Sequence, residues 1–523
     1  MGSTGVASAK LAHAPQYNPA LLSTAHESDD FAIIFPQLGL VVADEEEVID
    51  GFEAIANDEY STSDTGESLT ITETFENISD ELDRILVSGP NPIEDQIDNF
   101  QNLLNNVPGA GGNDSTTTAD LTAATTQLSN STGLLTDQTG DIRDITFDLT
   151  SDLSDISGKA LRGTLGVNGA IAIPSKKFAA AISVSGAAHF SGRLFFTDSD
   201  SSLFNGYAEG INAYANAADD YTDLAVTLAE ETEDLEACEA ANPGNPTPCL
   251  DEAAAVASAL NAAENELDTL QNFSYTQDGR TILEADPVTG EINLDDDLNS
   301  NVHIVAVAIT EIGLTLSRNF NIQGHDVAIG ITPKLQQIKT FNYVHVVDNE
   351  DIEESDVTDT EQDFSDFNID AGAAYQFGDS NQWQIGLVAK NLLSNEYEAE
   401  SNANPDTGEV FKTKISLDTQ FRGGISHSTD WTVIAVDVDL MENDPVAYEK
   451  PTQYASVGAE LDIFDTIQLR GGYRTNLSES DASVVSAGLG FSPFGVHLDL
   501  ALMANPNDPK KEAGAALELG FYF

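Results

Sequence analysis

Long apolar runs are missing from this sequence of 523 residues, in which no stretch approaches about 18 consecutive apolar residues. A membrane-spanning helix needs about 20 such residues, so the sequence predicts none. Basic residues are also scarce, because 21 Lys and Arg stand against 88 Asp and Glu and leave a formal net charge of −67. Phosphate contacts need clustered Lys and Arg, so the composition excludes nucleic acid as a partner and argues against a basic patch on anionic lipid.

Catalytic motifs are missing as well. The 8 histidines form no His-Glu-x-x-His pair, and neither a Gly-x-Ser-x-Gly elbow nor a Walker-type loop occurs. We therefore expect that the protein is not an enzyme. Asp295, Asp296 and Asp297 offer carboxylate oxygens that suit Ca²⁺, but they lack the ordered spacing of an EF-hand loop, and a solvated acidic turn is the alternative. Apart from this weak calcium candidate, no metal and no cofactor is expected.

The acidic residues are concentrated in two segments. Residues 44–158 hold 26 Asp and Glu against 2 basic residues, and residues 199–299 hold 23 against 1. Both segments lack the alternation of a strand, so they are predicted to be insertions in one common architecture. Solvation of exposed faces is the first explanation of this acidity, and a high-salt habitat or divalent-cation binding are the alternatives.

Outside the insertions the sequence alternates between apolar and polar residues. Near the carboxyl end Leu517, Leu519 and Phe521 share one face, opposite Glu518 and Gly520. This run of about 11 residues has the length of a tilted strand that crosses a bilayer. Fourteen such runs are predicted, at about 31–43, 159–173, 177–197, 301–317, 325–347, 364–377, 382–394, 410–425, 431–441, 453–463, 466–475, 483–491, 494–504 and 512–523.

The connections between these runs alternate in length. Residues 174–176 and 492–493 are short links after even-numbered runs, whereas 348–363 and 442–452 are longer polar links after odd-numbered runs. Outer-membrane barrels combine short periplasmic turns with longer outer loops, and a soluble sandwich has no reason for this parity. The predicted fold is therefore all-β, a transmembrane antiparallel β-barrel of about 14 strands in the bacterial outer membrane. Its carboxyl terminus is expected on the periplasmic side, and its two acidic, partly helical insertions outside the cell.

Charged residues on the polar faces of the runs are candidates for the barrel lumen. Arg470 and Arg474 lie in the run that follows Glu460 and Asp462. Ion pairs inside the barrel are the first expectation for them, and a role in selectivity is the second. The same reasoning adds Arg162, Arg193, Arg422, Asp437, Asp439 and Asp499.

The second insertion, 199–299, contains a predicted helical hairpin. Leucines recur at helical spacing on both sides of the Pro-rich segment 242–248, which is a strong helix breaker. Cys238 and Cys249 flank that segment. A disulfide between them would join two antiparallel helices at their tip, and two free buried thiols are the alternative.

The two ends of the sequence resemble a known outer-membrane family. Residues 1–43 contain a Gly-rich start, then Asn18-Pro19-Ala20, then the run from Phe31 to Gly39. Asn391-Leu392-Leu393 at the end of a run and the terminal Phe523 extend the pattern. In these features the chain resembles the TraF-like conjugal transfer proteins, and it is more distantly similar to the FadL-type long-chain fatty-acid transporters.

The resemblance implies an N-terminal hatch. In FadL-type proteins this segment folds into the barrel, so residues 1–30 are expected to form a hatch and residues 31–523 the barrel. A disordered N-terminus is the alternative. The hatch residues carried over from the motif are Gly2, Gly5, Asn18, Pro19 and Ala20.

The resemblance also implies a lateral exit and an assembly signal. FadL-type barrels release hydrophobic ligands sideways at a kinked third strand, for which Gly186 and Gly192 are the candidates. Glycines that only relieve crowding are the alternative. Phe521 and Phe523 match the aromatic ending of outer-membrane barrels, so we expect them to serve as the signal that barrel insertases recognise.

Two functions remain open at this point. The barrel binds or transports a hydrophobic or amphipathic small molecule in the manner of FadL-type proteins, surrounded by outer-membrane lipid. Alternatively, it is a structural or interaction barrel whose acidic loops bind a surface protein partner or a conjugation or secretion apparatus. A cavity beside the N-terminal segment favours the first function, and a lumen filled completely by the insertions favours the second.

Overall fold

A computed structural model of the chain describes residues 1–25, 30–57, 59–61, 68–70, 84, 92–106, 116–277, 279–285, 292–294, 298–323, 325–347, 354–378, 380–403, 410–411, 414–444, 450–464, 466–479 and 482–522. Among these residues no helix has the length and apolar character needed to cross a membrane. Contacts divide the chain into two compact units. The first comprises Met1–Ile49, Ser157–Phe195 and Ser300–Phe523, and the second comprises Asp50–Ile156 and Phe196–Asn299.

The first unit is a closed barrel of fourteen antiparallel strands, β1 to β14 in chain order. Each strand pairs with the next one along the chain, and β1 closes the barrel by pairing with β14. The predicted barrel and its number of strands are therefore confirmed. The strands are β1 (Ala32–Ala43), β2 (Ala160–Ile173), β3 (Ala179–Phe195), β4 (Asn301–Ile322), β5 (His325–Val346), β6 (Gln362–Phe377), β7 (Trp383–Lys390), β8 (Gln420–Ser428), β9 (Thr432–Asp439), β10 (Tyr454–Ile463), β11 (Ile467–Asn476), β12 (Ser483–Phe491), β13 (Val496–Ala504) and β14 (Glu512–Tyr522).

Alternation along each strand sorts side chains between the membrane and the lumen. In β13, Leu498, Leu500 and Leu502 are exposed on the outer face, whereas His497 and Asp499 line an internal cavity. The outer face is thus apolar, as contact with lipid requires.

Aromatic rings on the outer face cluster near the short turns. Tyr375 stacks on Phe377, Phe377 stacks on Trp383, and the rings of Trp383 and His427 have centroids 4.6 Å apart. Aromatic girdles of this kind lie at the membrane interface of β-barrels. We therefore expect this row of rings to lie at one membrane interface.

Two of the predicted runs differ from the structure. The sequence predicts strands at 382–394 and 410–425, but β7 ends at Lys390 and β8 begins at Gln420. Between them Asn395–Glu398 pairs with Lys414–Leu417, and Asn402–Ala403 pairs with Val410–Phe411. The alternation around residue 415 is real, but it belongs to a hairpin that packs on the inner wall. Alternation of apolar and polar residues cannot distinguish a barrel strand from a strand of this hairpin, because both have one buried face.

Short helices occupy the N-terminal segment, residues 1–23. They are a 3₁₀ helix at Leu11–His13, helix α1 at Ala14–Tyr17 and a second 3₁₀ helix at Pro19–Ser23. Asn18 caps the last of these, because its side chain accepts a hydrogen bond from the Ala20 amide. Other short helices of the barrel connections are Glu354–Asp359 and Pro493–Gly495.

The second unit is largely helical. Its hydrophobic core contains Leu128, Leu228 and Val256. The Phe100 ring packs edge to face against the Tyr221 ring, with centroids 6.1 Å apart. Helix α2 (Val48–Asn57) leads into the unit, and the long helices are α3 (Ile93–Leu104), α4 (Thr118–Ile156), α5 (Asp198–Ala241) and α6 (Leu250–Gln271). Small sheets pair Glu59–Ser61 with Ser68–Thr70, and Arg280–Ala285 with both Ser274–Gln277 and Ile292–Leu294.

Helices α5 and α6 form the predicted hairpin, and the predicted disulfide is confirmed. Cys238 in α5 is bonded to Cys249, which ends a short 3₁₀ helix, Thr247–Cys249, just before α6. A polar seam fixes α4 against α5 in antiparallel register: Thr132 bonds Asp219, Thr139 bonds Asn212 and Thr150 bonds Asn205, at 3.2, 3.4 and 2.9 Å.

Candidate functional site

The N-terminal segment crosses the lumen of the barrel. At one end the Gly2 amide donates to Ser486 Oγ in β12 at 3.0 Å, and at the other the Ala20 carbonyl accepts from Ser317 Oγ in β4 at 3.0 Å. These two strands stand on opposite sides of the barrel. The irregular backbone of the segment is tolerated there because the strands shield it from lipid.

Inward-facing glycines make room for this segment. A Cβ added at Gly386 would lie 2.2 Å from the Val6 carbonyl oxygen, and one added at Gly372 would lie 2.0 Å from Asn18 Oδ1. Real Cβ atoms do not approach so closely, so only glycine fits. Similar conflicts with the segment occur at Gly330, Gly458 and Gly472. The barrel register pairs several of these glycines directly, namely Gly330 with Gly372, Gly386 with Gly424, and Gly458 with Gly472.

We call these six glycines the glycine track. It runs across neighbouring strands from β5 to β11, with Ala435 and Asp437 in place of glycine in β9. Sequence analysis missed it, although the signal was present as glycines on the polar faces of strands. A strand glycine marks a close approach by another backbone, but the sequence does not say which one approaches.

Two polar side chains hold the segment in the track. The buried carboxylate of Asp437 in β9 accepts hydrogen bonds through Oδ2 from the amides of Gly5 and Val6, at 2.6 and 2.9 Å. Asn18, also fully buried, donates through Nδ2 to the Val6 carbonyl at 2.9 Å and to the Ala373 carbonyl at 3.3 Å. Asn18 therefore ties the segment both to itself and to the wall.

The second half of the segment is held by apolar contacts. Leu21 and Leu22 are buried against inward-facing small side chains of the barrel wall. Burial of each leucine contributes about 1.5–3 kcal/mol. The wall residues in this cluster are Ala32, Ile34, Ala170, Ala172, Ala179, Ala181, Ala328 and Ala374.

Predicted lumen charges are paired inside the barrel. Arg470 bonds Glu460 at 2.6 Å and also contacts Asp499, and Arg474 bonds Glu512 at 2.5 Å. Asp462 accepts from Gln468 at 3.3 Å. Other predicted lumen residues pair as well, Arg162 with Glu45 and Arg422 with Asp439.

His13 carries a further ion pair between the N-terminal segment and the wall. Its Nε2 lies 2.9 Å from a carboxylate oxygen of Glu518 in β14. Burial disfavours the charged imidazole, but the Glu518 carboxylate outweighs burial and raises the pKa of His13 above its usual value. The pair therefore adds a charge-assisted anchor to the segment.

A cavity of about 420 Å³ lies between the N-terminal segment and strands β1 to β7. Pro15 and Gln16 form its floor, and Ile309 belongs to its wall. Lys334 forms ion pairs there with Glu311 and Asp370, both at 3.0 Å. Lys390 also lines this cavity, and its Nζ donates to the Gln16 carbonyl.

A second cavity, of about 510 Å³, lies on the other side of the segment. It is lined by His13 and Tyr17 of the segment and by residues of β10 to β14, including Arg470 and Glu518. The N-terminal segment thus divides the lumen into two spaces instead of filling it.

The hairpin between β7 and β8 packs on the inner wall beside the first cavity, which shares Ile309 with it. We call its paired strands, Asn395–Glu398 and Lys414–Leu417, the inner hairpin. Its side chains Tyr397, Ile415 and Leu417 are buried against Val307, Ile338, Ile309 and Phe364 of β4, β5 and β6. The Tyr397 hydroxyl donates to Asp366 at 3.0 Å, and burial together with this bond raises the pKa of Tyr397 to about 12.

The two predicted kink glycines lie in a regular strand. β3 pairs with β2 and with β4 through Gly186 and Gly192 in unbroken register. A register shift does occur in β1, between Ile34 and Gln37, and it interrupts pairing with both β2 and β14. The role proposed for Gly186 and Gly192 therefore stays a prediction.

Two other sequence candidates are only partly located. Phe521 pairs with Ile33 and with Val496 in the barrel, whereas Phe523 lies outside the described residues. Asp295, Asp296 and Asp297 also lie outside them. In the part of the chain that the structure describes, no group of three His, Cys, Asp or Glu side chains has the geometry of a metal site.

Comparison with known proteins identifies the family. The family described as "F plasmid transfer operon, TraF, protein" matches residues 15–111 and 249–439, which is more than half of the chain. The chain therefore belongs to this family, and the resemblance of the sequence to TraF-like proteins is confirmed. The sequence matches no curated protein.

Similar solved structures share little sequence identity with the chain. The Pseudomonas putida toluene transporter TodX is 9% identical, with 100% of this chain and 97% of that chain covered and a TM-score of 0.36. A Pseudomonas aeruginosa FadL homologue is 10% identical, with 99% and 96% covered and a TM-score of 0.40.

Proposed function

We propose that this member of the TraF family is a gated barrel of the bacterial outer membrane that takes up hydrophobic or amphipathic small molecules and performs no catalysis. The observation that carries the proposal is a cavity of about 420 Å³ inside the barrel, bounded on one side by the N-terminal segment, which is not part of the barrel wall. The N-terminal segment lines it at Pro15 and Gln16, and the inner hairpin packs on neighbouring wall residues that include Ile309, which also lines the cavity. A general pore would have an open lumen instead.

The N-terminal segment acts as the hatch in this proposal. It is held by hydrogen bonds between its backbone and barrel side chains, by the His13–Glu518 ion pair and by apolar contacts of Leu21 and Leu22, none of which belongs to the strand pairing of the barrel. Ligand binding shifts the population of hatch positions by no more than the ligand's differential affinity for them. The cavity is lined by ion-paired and polar side chains as well as apolar ones such as Leu38 and Ile309, which suits an amphipathic molecule.

Uptake in whole cells tests this proposal. Cells whose outer leaflet slows hydrophobic probes should take up N-phenyl-1-naphthylamine faster when they express the full-length protein. In planar bilayers the full-length protein should be nearly closed, and a variant lacking residues 1–22 should conduct. Uptake equal to that of cells without the protein would reject the transport function, and equal conductance of the two proteins would reject the hatch.

The second candidate function is an interaction barrel in a conjugation or secretion apparatus. It is favoured by the second unit, which has its own core and a disulfide-linked helical hairpin, α5–α6, with many acidic residues. Shortening this hairpin should leave probe uptake unchanged under the transport function. Loss of plasmid transfer with normal probe uptake would instead support the interaction function.

A further inference from the structure

The inner hairpin covers an apolar patch on the barrel wall. The patch consists of Val307 and Ile309 in β4, Ile338 in β5 and Phe364 in β6, and we call it the hairpin seat. Val307 and Ile338 have no exposed surface. The seat faces the lumen, so lipid does not account for its apolar character. It is covered instead by Tyr397, Ile415 and Leu417 of the inner hairpin.

The hairpin seat adjoins the first cavity. Ile309 belongs to the seat and also lines the cavity, and Glu311, two residues further along β4, lines it as well. A molecule in the cavity therefore meets the seat directly once the hairpin moves aside. The aromatic ring of Tyr397 already occupies the seat, with its centroid 5.3 Å from that of Phe364. This distance is typical of favourable aromatic pairs.

The inner hairpin is attached to the barrel by a small set of polar contacts in addition to its apolar face. Its neck is closed by Thr419, whose hydroxyl donates to the Asn391 carbonyl at 2.8 Å and whose amide donates to Ser394 at 3.1 Å. Beyond the neck, the strand of Tyr397 is tied to Asp366 by hydrogen bonds from Tyr397 and Asn395. Further along, Asn342 of β5 donates to the Glu400 carbonyl at 2.6 Å and accepts from Asn402 through its own carbonyl. Leaving the seat therefore breaks these polar contacts, whereas the separate bonds of the neck can stay closed.

One carboxylate links the neck to the cavity. Asp370 Oδ1 accepts the Asn391 amide at 2.9 Å and also lies 3.0 Å from Lys334 Nζ. The charges around the cavity are already compensated, since Lys334 also pairs with Glu311. An anionic ligand would gain little electrostatic stabilisation in this cavity, and the net charge of −67 on the protein repels it.

We propose that the hairpin seat is a binding site for an uncharged molecule that carries an aromatic ring, and that Tyr397 of the inner hairpin occupies it as an internal substitute for that ligand. This inference rests on the proposed uptake function and names its substrate class. The hairpin and the ligand compete for one surface. Ligand affinity is therefore reduced by the fraction of molecules in which the hairpin is seated.

Probe binding to the purified full-length protein in lipid nanodiscs tests this site. The probe is N-phenyl-1-naphthylamine, measured as fluorescence in excess of empty nanodiscs. Tyr397→Ala removes the competing ring and should tighten probe binding by about tenfold or more, as expected if the seated form dominates. Tyr397→Phe keeps the ring and should change binding far less. Lys414→Arg changes an exposed residue of the same hairpin but keeps a cation opposite Glu396, and it serves as the matched control.

A second substitution locates the probe. Ile338→Asn, made in the Tyr397→Ala protein, places an amide in the seat and should abolish the gain in affinity. Heat-modified mobility on gels checks that each barrel is folded. Unchanged affinity in Tyr397→Ala, or a gain that survives Ile338→Asn, would overturn the inference.

The outcomes separate this inference from the uptake function. Tighter binding in Tyr397→Ala without uptake in cells would keep the site and reject transport. Uptake in cells with probe affinity independent of Tyr397 would keep transport and reject the site.

Discussion

The Oδ2 atom of Asp437 lies 2.6 Å from the Gly5 amide nitrogen, although 432 positions separate the two residues in the chain. The same oxygen accepts the Val6 amide. One buried carboxylate in β9 thus fixes the start of the hatch. Backbone amides pointing into the lumen would otherwise lack partners there.

Asp437→Ala should free the first residues of the hatch. It leaves two amides without an acceptor, at a cost of about 1–3 kcal/mol each. We expect faster proteolysis and hydrogen exchange in residues 1–10 and a higher conductance in planar bilayers. Asp363→Ala, which removes an exposed acid in β6, is the control. Equal protection of the hatch in both variants would show that Asp437 is not its anchor.

Gly386→Ala should displace the hatch by steric conflict. The added Cβ would lie 2.2 Å from the Val6 carbonyl oxygen, and a backbone atom cannot yield as a flexible side chain can. Overpacking of this kind costs about 1–3 kcal/mol. Conductance should rise, and Gly471→Ala should leave it unchanged because a Cβ there meets nothing within 4 Å. Similar effects of the two substitutions would contradict a specific track.

The anchoring of the hatch by His13 should depend on pH. Because Glu518 raises the pKa of His13 in the folded protein, the stabilisation is complete below the usual histidine value and is lost as pH rises through the folded value. Other groups that influence His13 are Arg470 and Asp499. Proteolysis of the hatch should therefore accelerate at alkaline pH, and His13→Gln should remove that dependence. If proteolysis of the hatch followed the same pH profile in the native protein and in His13→Gln, the His13–Glu518 pair would not anchor the hatch.

The barrel was predictable because period-2 alternation and loop parity are properties of the sequence alone. Leu498 and Leu500 must face lipid if Asp499 faces the lumen, and no tertiary information is needed for that. The confirmed disulfide was predictable for a similar reason, since Cys238 and Cys249 flank a Pro-rich break between two helical patterns.

The contents of the lumen were not predictable in the same way. Gly386 and Asp437 acquire their roles only when Val6 arrives beside them, a contact between distant parts of the chain. The inner hairpin was misplaced because Ile415 and Leu417 alternate as barrel residues do, while the wall that buries them belongs to other strands.

Removal of the disulfide should loosen the tip of α5–α6 without affecting the barrel. Its two cysteines are 11 positions apart, and closing a loop of about this size contributes roughly 3 kcal/mol in the chain-entropy model. In Cys238→Ser/Cys249→Ser we expect faster hydrogen exchange at the end of α5 and the start of α6. Hydrogen exchange in β1 to β14 should match that of the native protein. Intact masses showing two free thiols in native protein from membranes would remove the basis of this prediction.

The register shift in β1 predicts where ligand leaves the barrel sideways. Phe35 and Pro36 fall between the paired residues Ile34 and Gln37, so the ladders to both β2 and β14 are interrupted at one level. Pro36 has no amide hydrogen to donate, which weakens the wall further at this point. By contrast, Gly186 in β3 lies within continuous pairing. An outlet should therefore open beside β1.

Cross-links at two strand seams distinguish these positions. Leu38→Cys with Leu517→Cys joins directly paired, outward-facing residues of β1 and β14, next to the shift. Ile425→Cys with Val436→Cys joins a comparable outward-facing pair of β8 and β9. Oxidation of the first pair should slow probe uptake by cells, and oxidation of the second should not, because the wall there is already continuous. Equal probe uptake after both cross-links would show that ligand does not leave beside β1. Slower uptake in Gly186→Ala alone would instead support an exit at the third strand, β3.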